Sequence, residues 1–159
     1  MTDLPKTTQF KATTSLACSI AMTHPDRFNE AVAAGHYPCA PKTIPGRARA
    51  FGVADVIALH SYQRFLNQGL SPARAGRKAC EIRAFLEEYP DADQVYIIGT
   101  AFNDIDRLLP EFDPKEQLVS INSTQSISVI GLEVLNFHYL RERIVHEINE
   151  AALIVGGKE

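Results

Sequence analysis

The alternation of apolar and polar positions predicts four helices in the front half of the chain. Thr13–Ser15 offer N-caps for a short apolar helix, and Pro25 suits the first turn of a second helix that ends at Gly35. Apolar residues that recur at i, i+3 and i+4 predict a third helix over residues 53–68. The Ser-Pro step at 71–72 supplies an N-cap and a first-turn proline for a fourth helix. The first two helices, joined by a tight turn, are a helix-turn-helix candidate.

A proline-rich segment separates the second and third predicted helices. Residues 37–51 contain three prolines and a Pro-Gly step, which exclude a helix and favour an extended loop that runs out and back. Lys42, Arg47 and Arg49 lie at or beside its tip. We interpret this segment as a basic wing beside the helix-turn-helix, placed to contact a sugar-phosphate backbone.

The back half predicts a small domain of strands and helices after a boundary at Tyr89-Pro90-Asp91. Short strands are predicted at QVYIIG and QLVSIN, which flank a helix at about Ala101–Leu109. SISVIGL alternates and predicts a third strand, joined to QLVSIN by a hairpin loop at Asn122–Gln125. With a final helix from about Glu133 to Val155, the expected order is β-α-β-β-α, in an α+β chain. The predicted division is a flexible lead-in at 1–12, a winged helix-turn-helix domain at 13–89, and an oligomerisation or effector domain at 90–159.

The final predicted helix carries a long apolar stripe. A stripe of this length in a small domain marks either the central core helix or a dimerisation helix. We assign dimerisation to five of its residues: Phe137, Leu140, Ile144, Ile148 and Ala151.

Charge is divided unevenly between the two halves. Residues 1–86 carry 11 Lys/Arg against 5 Asp/Glu, whereas residues 87–159 carry 5 against 14, so the net charge of −3 conceals a basic front half. Clustered Lys and Arg attract phosphate backbones regardless of sequence, which makes nucleic acid the first partner to consider. The chain has no apolar run of membrane-spanning or signal-peptide length. We therefore predict a cytoplasmic location and no membrane partner.

Motifs for other chemistries do not occur in the sequence. Cys18, Cys39 and Cys80 form no CxxC pair, so free thiols are expected rather than a zinc site. There is no HExxH, glycine-rich phosphate loop or serine-nucleophile elbow, and we predict no catalytic residue, cofactor, metal or enzymatic activity. Five aromatic residues of the back half are expected to pack as core, with a small-molecule pocket as the alternative: Tyr96, Phe102, Phe112, Phe137 and Tyr139.

Several short motifs follow one another in the front half. They are Gly35-His36-Tyr37-Pro38, Arg49-Ala50-Phe51 before Asp55-Val56, the continuation Ile57-Ala58-Leu59, Asn67-Gln68-Gly69-Leu70-Ser71, and Arg83-Ala84-Phe85-Leu86. In this order they resemble the winged-helix DNA-binding domain of the MerR family of transcription regulators, over about Thr13 to Leu86. The resemblance implies regulation of transcription, often through distortion of promoter DNA.

The chain departs from that family in two places. Its second helix has Pro25-Asp26-Arg27-Phe28-Asn29-Glu30 where the family usually has Arg, Thr and a Tyr-Tyr pair, so we expect a different operator. Strands are predicted within residues 91–132, where the family tends to pass directly into a long dimerisation helix. An appended domain is therefore expected in place of an antiparallel coiled coil.

The candidate contact residues follow from the helix-turn-helix interpretation. The N-terminal residues of the second helix lie over base edges in such a motif, where Arg27 could fork onto guanine and Asn29 onto adenine. The wing residues would grip the phosphate backbone. The full set of predicted DNA contacts is Thr23, His24, Arg27, Asn29, Lys42, Arg47 and Arg49.

These patterns predict a sequence-specific binding protein for double-stranded DNA, a MerR-like transcription regulator that acts as a homodimer. An unidentified small-molecule or protein effector is a further partner to consider. The first alternative is a DNA-architectural or excisionase-like factor of a mobile element. The second is a protein–protein interaction module whose basic face binds an acidic protein.

Overall fold

Helices come first along the chain, and a sheet and a final helix follow. The computed structural model describes residues 4–43, 45–101 and 103–156, and confirms the α+β class. The helices are α1 (Thr14–Ala21), α2 (Pro25–Ala33), α3 (Val53–Asn67), α4 (Pro72–Glu88) and α5 (His138–Gly156). The strands are β1 (Gln94–Thr100), β2 (Asn103–Leu109), β3 (Leu118–Ser120) and β4 (Ser126–Asn136).

The four front helices begin and end close to where the sequence predicts. The Thr13 hydroxyl accepts a hydrogen bond from the Leu16 N–H at 3.1 Å and so caps α1. The Ser71 hydroxyl does the same for the Arg74 N–H of α4 at 3.3 Å. Each hydroxyl satisfies a backbone donor that the first turn of a helix leaves without a partner.

The turn between α1 and α2 is made without glycine. Met22 takes the left-handed conformation instead, with φ of 58°. Its N–H donates to the Ser19 carbonyl at 3.3 Å, and the Thr23 N–H donates to the Cys18 carbonyl at 2.9 Å. A non-glycine residue in this conformation costs roughly 1–2 kcal/mol. The hydrogen bonds that close α1 offset this cost, and α2 can begin at Pro25.

The sheet has the strand order β2-β1-β4-β3, and every neighbouring pair is antiparallel. The strands predicted at QVYIIG, QLVSIN and SISVIGL are confirmed as β1, β3 and β4. The hairpin predicted at Asn122–Gln125 is also confirmed, because Ser120 pairs with Ser126 and the Ile121 N–H donates to the Gln125 carbonyl at 3.0 Å.

The helix predicted at 101–109 is wrong, because this segment forms strand β2. Its register against β1 runs from Asn103 opposite Thr100 to Leu109 opposite Tyr96. A helix of this length is marginal by itself, whereas a strand gains a ladder of backbone hydrogen bonds with the strand beside it. The back region is therefore β-β-β-β-α and not the predicted β-α-β-β-α.

The last helix begins later than predicted. Residues 133–136 belong to β4, since they pair with residues 94–97 of β1. α5 starts at His138, whose N–H donates to the Asn136 side-chain oxygen at 2.9 Å. Val134 and Leu135 consequently point to opposite faces of the sheet, one 46% exposed and the other 8%.

One hydrophobic core crosses the predicted boundary at residues 89 and 90. Ile57 and Phe65 of α3 belong to the same buried cluster as Val95 of β1, Phe137 just before α5, and Ile148 of α5. The front helices and the back region therefore share a core, and α5 lies within it as the sequence allowed.

The described part of the lead-in is attached to this core. Ala12 is buried and exchanges two backbone hydrogen bonds of 2.8 Å with Phe51. The Lys6 amine lies 3.5 Å from the Asp93 carboxylate. Among the helices in the described ranges, none has the length and apolar character of a membrane span.

Candidate functional site

Four aromatic rings hold both ends of the segment that we call the basic loop, residues 38–50. Tyr37, just before the loop, packs edge-on against Phe28 of α2 and Tyr62 of α3, with ring centroids 5.3 and 5.2 Å apart. Phe51, just after the loop, has its ring centroid 5.9 Å from that of Phe28. All four rings are buried. The loop thus leaves and re-enters the core at neighbouring points, because both anchors contact the same ring of α2.

A disulfide ties the basic loop to α4. Cys39 is bonded to Cys80, with the two Cα atoms 5.4 Å apart, and the Cys39 N–H donates to the Cys80 sulfur at 3.3 Å. The expectation of free thiols is therefore wrong for these two residues, because folding brings positions 41 apart into bonding geometry. That expectation is confirmed for Cys18, which is buried and free, and whose burial raises the pKa of its thiol to about 11.

α4 also lies directly against the segment that enters the loop. A Cβ atom at Gly76 would be 1.8 Å from the backbone oxygen of His36, so only glycine fits at this crossing. Within the loop, the Arg49 guanidinium donates to the Pro41 carbonyl and joins the outgoing limb to the returning one. No strand occurs among the described loop residues, 38–43 and 45–50. Its position is therefore fixed by the disulfide, the anchors and this hydrogen bond.

α2 presents the predicted base-contacting residues in different settings. Arg27 and Asn29 are exposed, and because they are two positions apart they point to different sides of the helix. His24 is the N-cap, and its Nδ1 accepts the Asp26 N–H at 3.3 Å. Thr23 is only 6% exposed, and its hydroxyl has no hydrogen-bond partner among the described residues. Of these residues, His24, Arg27 and Asn29 are exposed to an external partner, whereas the Thr23 hydroxyl is not.

Two grooves border α2 and collect most of the predicted contact residues. The first, of about 690 Å³, lies between α2 and the joint of α3 with α4, and Thr23, His24 and Arg27 line it. The second, of about 400 Å³, lies beside the basic loop, and Lys42 and Arg49 line it. The remaining two predicted residues lie on the exposed surface outside both grooves: Asn29 and Arg47.

Three cations of helices α3 and α4 are paired inside the molecule. The Arg83 guanidinium lies 2.7 Å from the Asp55 carboxylate and joins α4 to α3. The Lys78 amine lies 3.2 Å from the Asp106 carboxylate of β2 and 4.7 Å from the centre of the Phe65 ring. These contacts hold the helices to one another and to the sheet, so their charge is largely neutralised within the chain. A third pair joins α3 to β4 over 3.3 Å, through Arg64 and Glu133.

The other cations around the candidate site face solvent. They form no ion pair with any residue in the described part of the chain. Their charges are thus available to an external anion. These exposed cations are Lys11, Arg27, Lys42, Arg47, Arg74 and Arg77.

Sequence reasoning missed three features that position this site. The role of Gly76 and the Cys39–Cys80 bond carry no local signal, because each depends on a segment that is distant in sequence. The position of Asp55 does carry one, since an acidic residue at the third helical position typifies a capping box. Its carboxylate accepts the Gly52 N–H at 2.9 Å and is thereby held in place for Arg83.

The predicted dimerisation residues divide between core and surface. Phe137, Ile144 and Ile148 are at most 1% exposed within a single chain, so they serve its own core. Leu140 and Ala151 are partly exposed. A second copy could therefore contact only these last two without rearrangement of α5.

The aromatic residues considered as a small-molecule pocket have no common setting. Phe137 is buried in the core, and Tyr139 next to α5's start is 76% exposed. Tyr96 and Phe112 are partly buried, whereas Phe102 lies outside the described residues. Of the four described residues, Phe137 lines a small groove of about 180 Å³, and the other three line none of the four grooves of about 400 Å³ or more found among the described residues.

No protein-family model matches the chain, and a search among curated proteins finds no relative. The resemblance of the front half to the MerR family therefore stays a prediction, as do the residue roles that it implies.

Proposed function

We propose that this protein is a sequence-specific binding protein for double-stranded DNA, a transcription regulator of MerR-like winged helix-turn-helix type that acts as a homodimer. The observation that carries the proposal is the division of the front-half cations. Arg64, Lys78 and Arg83 are paired inside the molecule, whereas the exposed cations cluster on α2, the basic loop and the start of α4. Unpaired Lys and Arg next to a protruding loop suit a phosphate backbone.

In this proposal α2 reads bases and the basic loop holds the backbone. Arg27 is exposed near the start of α2, where a recognition helix meets base edges. Arg47 is exposed on the loop and contacts phosphate directly. Arg49 also has a structural role, because its guanidinium donates to the Pro41 carbonyl and so joins the two limbs of the loop. Arg47 is therefore the cleaner residue for a binding test.

The homodimer rests on a general argument about DNA recognition. A two-fold protein matches a pseudo-palindromic site, and a single small reader rarely reaches specific affinity alone. Because Phe137, Ile144 and Ile148 are core residues, the contact between copies would use Leu140, Ala151 and other exposed positions. Sedimentation of the protein alone and on DNA measures this part of the proposal separately.

The first experiment is selection of bound duplexes from a random pool, followed by affinity measurements at several salt concentrations. Selection reports the operator, its symmetry and its half-site spacing together. Log affinity should fall linearly with log salt, because each phosphate contact releases counterions. A flat salt dependence, or no binding to any duplex, would overturn the proposal and favour an acidic protein partner.

The second experiment separates base readout from backbone contact. Arg47→Ala should weaken binding to all duplexes alike and reduce the salt slope by about 1. Arg27→Ala should cost about 1–3 kcal/mol of preference for the operator over random DNA. Arg143→Ala is the matched control, since it removes one exposed positive charge from α5, outside the proposed surface. Equal losses in all three variants would indicate general electrostatic attraction and contradict the assignment of roles.

A further inference from the structure

We propose that the Cys39–Cys80 pair is a site of reversible thiol–disulfide exchange that controls the order of the basic loop. The bond joins Cys39, on the outgoing limb of that loop, to Cys80 on α4. Cys39 lies one residue after Pro38 and three residues before Lys42. The closed bond holds the loop on α4. When the bond opens, the positively charged loop residues that the structure describes are no longer held there. Only the last step, an effect on DNA affinity, rests on the proposed function.

The bond can be reached by a reductant without unfolding. Both cysteines are partly exposed, unlike Cys18, which is fully buried. Cys80 lines an open groove of about 440 Å³ between the α2–loop junction and α4, together with His36, Arg77 and Glu81. A thiolate can therefore approach the Cys80 sulfur through this groove, which is the access that exchange requires.

The chemistry calls for a dithiol as reductant. One thiolate of the dithiol attacks the Cys80 sulfur, the bond between the two protein sulfurs breaks, and Cys39 leaves as a thiolate that takes up a proton. The second thiol of the reductant then attacks the mixed disulfide and releases Cys80. Two electrons and two protons thus pass to the protein, and the dithiol closes into its own disulfide. Arg77, one turn before Cys80 on α4, and Glu81, the residue after Cys80, both line the open groove, so it carries one charge of each sign.

The site is also built to close again. The Cys39 N–H donates to the Cys80 sulfur at 3.3 Å, a contact that can stay when the covalent bond opens. Tyr37 and Phe51 remain buried at the two ends of the loop. The reduced loop is thus released in its middle and held at its base, which keeps the two thiols close together.

The surroundings show why the bond matters to the loop and little to the core. Between Tyr37 and Phe51, most described side chains are exposed. Among the described loop residues, the hydrogen bond from Arg49 to Pro41 joins the outgoing limb to the returning one. Opening the bond therefore frees the outgoing limb, while the aromatic core that contains Phe28 stays packed.

A cytoplasmic location, which the sequence predicts, would give the exchange a role. Disulfides in a reducing compartment are usually transient, catalytic or redox-sensing. The pair would then be open in resting cells and closed by an oxidant. We infer that the closed form binds DNA about tenfold more tightly than the open form, because the open loop must be ordered on binding.

The test begins with thiol counting on the folded protein and needs no DNA. After dithiothreitol in native buffer, a mass-tagging maleimide added with denaturant should label three cysteines; after oxidised glutathione it should label Cys18 alone. Circular dichroism should show the same helix content in both forms. If the bond opens only when the protein unfolds, or never closes, the exchange site is wrong.

Trypsin then reports the order of the loop. Cleavage after Lys42 and Arg47 should be about tenfold faster in the reduced form, because the cleavable state is more populated. Cys39→Ser should be cleaved at the fast rate under all conditions, and Cys18→Ala, the matched control, should keep the dependence on redox state. Cleavage that is equal in both forms of the natural protein would overturn control of the loop.

DNA binding is measured last on the same two forms. A tenfold tighter complex for the oxidised form supports the full proposal. If cleavage depends on redox state but neither form binds any duplex, the exchange site stands and the DNA-binding proposal falls. If both forms bind DNA equally while cleavage differs, the link between loop order and affinity is wrong.

Discussion

The helical region comprises α1 to α4 and the basic loop, and the sheet region comprises β1 to β4 and α5. The two regions share a core but expose different kinds of side chain. The helical region turns unpaired cations outward. The sheet region instead exposes several large apolar side chains. The net charge of each half therefore says little about where unpaired, exposed charge lies on the surface. The large apolar residues that the sheet region exposes include Leu118, Ile121, Ile130, Leu132, Val134, Tyr139, Leu153 and Ile154.

Ion pairs between the two regions neutralise some of the cations of the helical region. Lys78 of α4 meets Asp106 of β2, and Arg64 of α3 meets Glu133 of β4. Some cations of the helical region therefore attach the helices to the sheet region, and others form no ion pair with any residue that the structure describes.

The largest effect should come from the helix that the two regions share. Ile144→Ala on α5 removes a side chain that is fully buried and should lower the free energy of unfolding by about 2–5 kcal/mol. Leu153→Ala, at a position 69% exposed on the same helix, should cost less than about 0.5 kcal/mol. Denaturant unfolding at several protein concentrations measures both. An Ile144 variant that unfolds normally but loses self-association would instead place Ile144 between copies.

The second effect concerns the crossing of α4 with the loop entry. Gly76→Ala should destabilise the protein by about 1–3 kcal/mol, because its Cβ would overlap the His36 carbonyl. On an unobstructed helix the same change is favourable by about 1 kcal/mol. Ala84→Gly, at an exposed position of α4, supplies that comparison with a loss of about 1 kcal/mol. A gain in stability for Gly76→Ala would mean that α4 and the loop entry lie further apart.

The third effect separates inward from outward cations on one helix. Lys78→Met should cost about 1 kcal/mol of stability, because it removes an ion pair and a cation–π contact. Arg77→Met, its exposed neighbour, should change stability by less than about 0.5 kcal/mol. For DNA affinity at low salt the order should reverse. Thermal unfolding and titration of one duplex decide both, and equal behaviour of the two variants would remove the distinction.

The smallest effect is a pH dependence at the contact of α3 with α5. Burial, with Arg143 and Arg64 nearby, lowers the pKa of His60 below its usual value of 6.5. The unfolded chain therefore takes up a proton more readily, and stability present above pH 6.5 should be lost progressively as the pH falls below it. His60→Gln should flatten the change in Tm over this range, whereas His146→Gln, on the exposed side of α5, should leave it unchanged. A His60 variant with an unaltered slope would assign the dependence to other groups.

Local signals were enough to predict much of the fold. Thr13, Pro25 and Ser71 cap or open helices by contacts within one turn, and these helices are confirmed. β1, β3 and β4 follow from short alternating segments, and their hairpin from the loop between two of them. The exposure of Arg27 also agrees with the mostly polar sequence around it.

The remaining features depend on distant partners. Residues 103–109 have no strong period, and β1 beside them determines that they form a strand. The extension of β4 to Asn136 likewise depends on its pairing with Gln94. Within the candidate site, the pairing of Lys78 with Asp106 spans two regions of the chain. No composition or spacing rule distinguishes the paired Lys78 from its exposed neighbour Arg77.

The aromatic base of the basic loop has a practical consequence for protein engineering. Tyr37 and Phe51 insert into the core on either side of residues 38–50. We therefore expect that the sequence between these two residues can be replaced while the core stays folded. Loops of other lengths and sequences could be grafted between these two rings, because longer surface loops add little entropic penalty. Cys39 would be retained so that the disulfide to Cys80 can form. A library built in this way would vary binding preference on one constant scaffold.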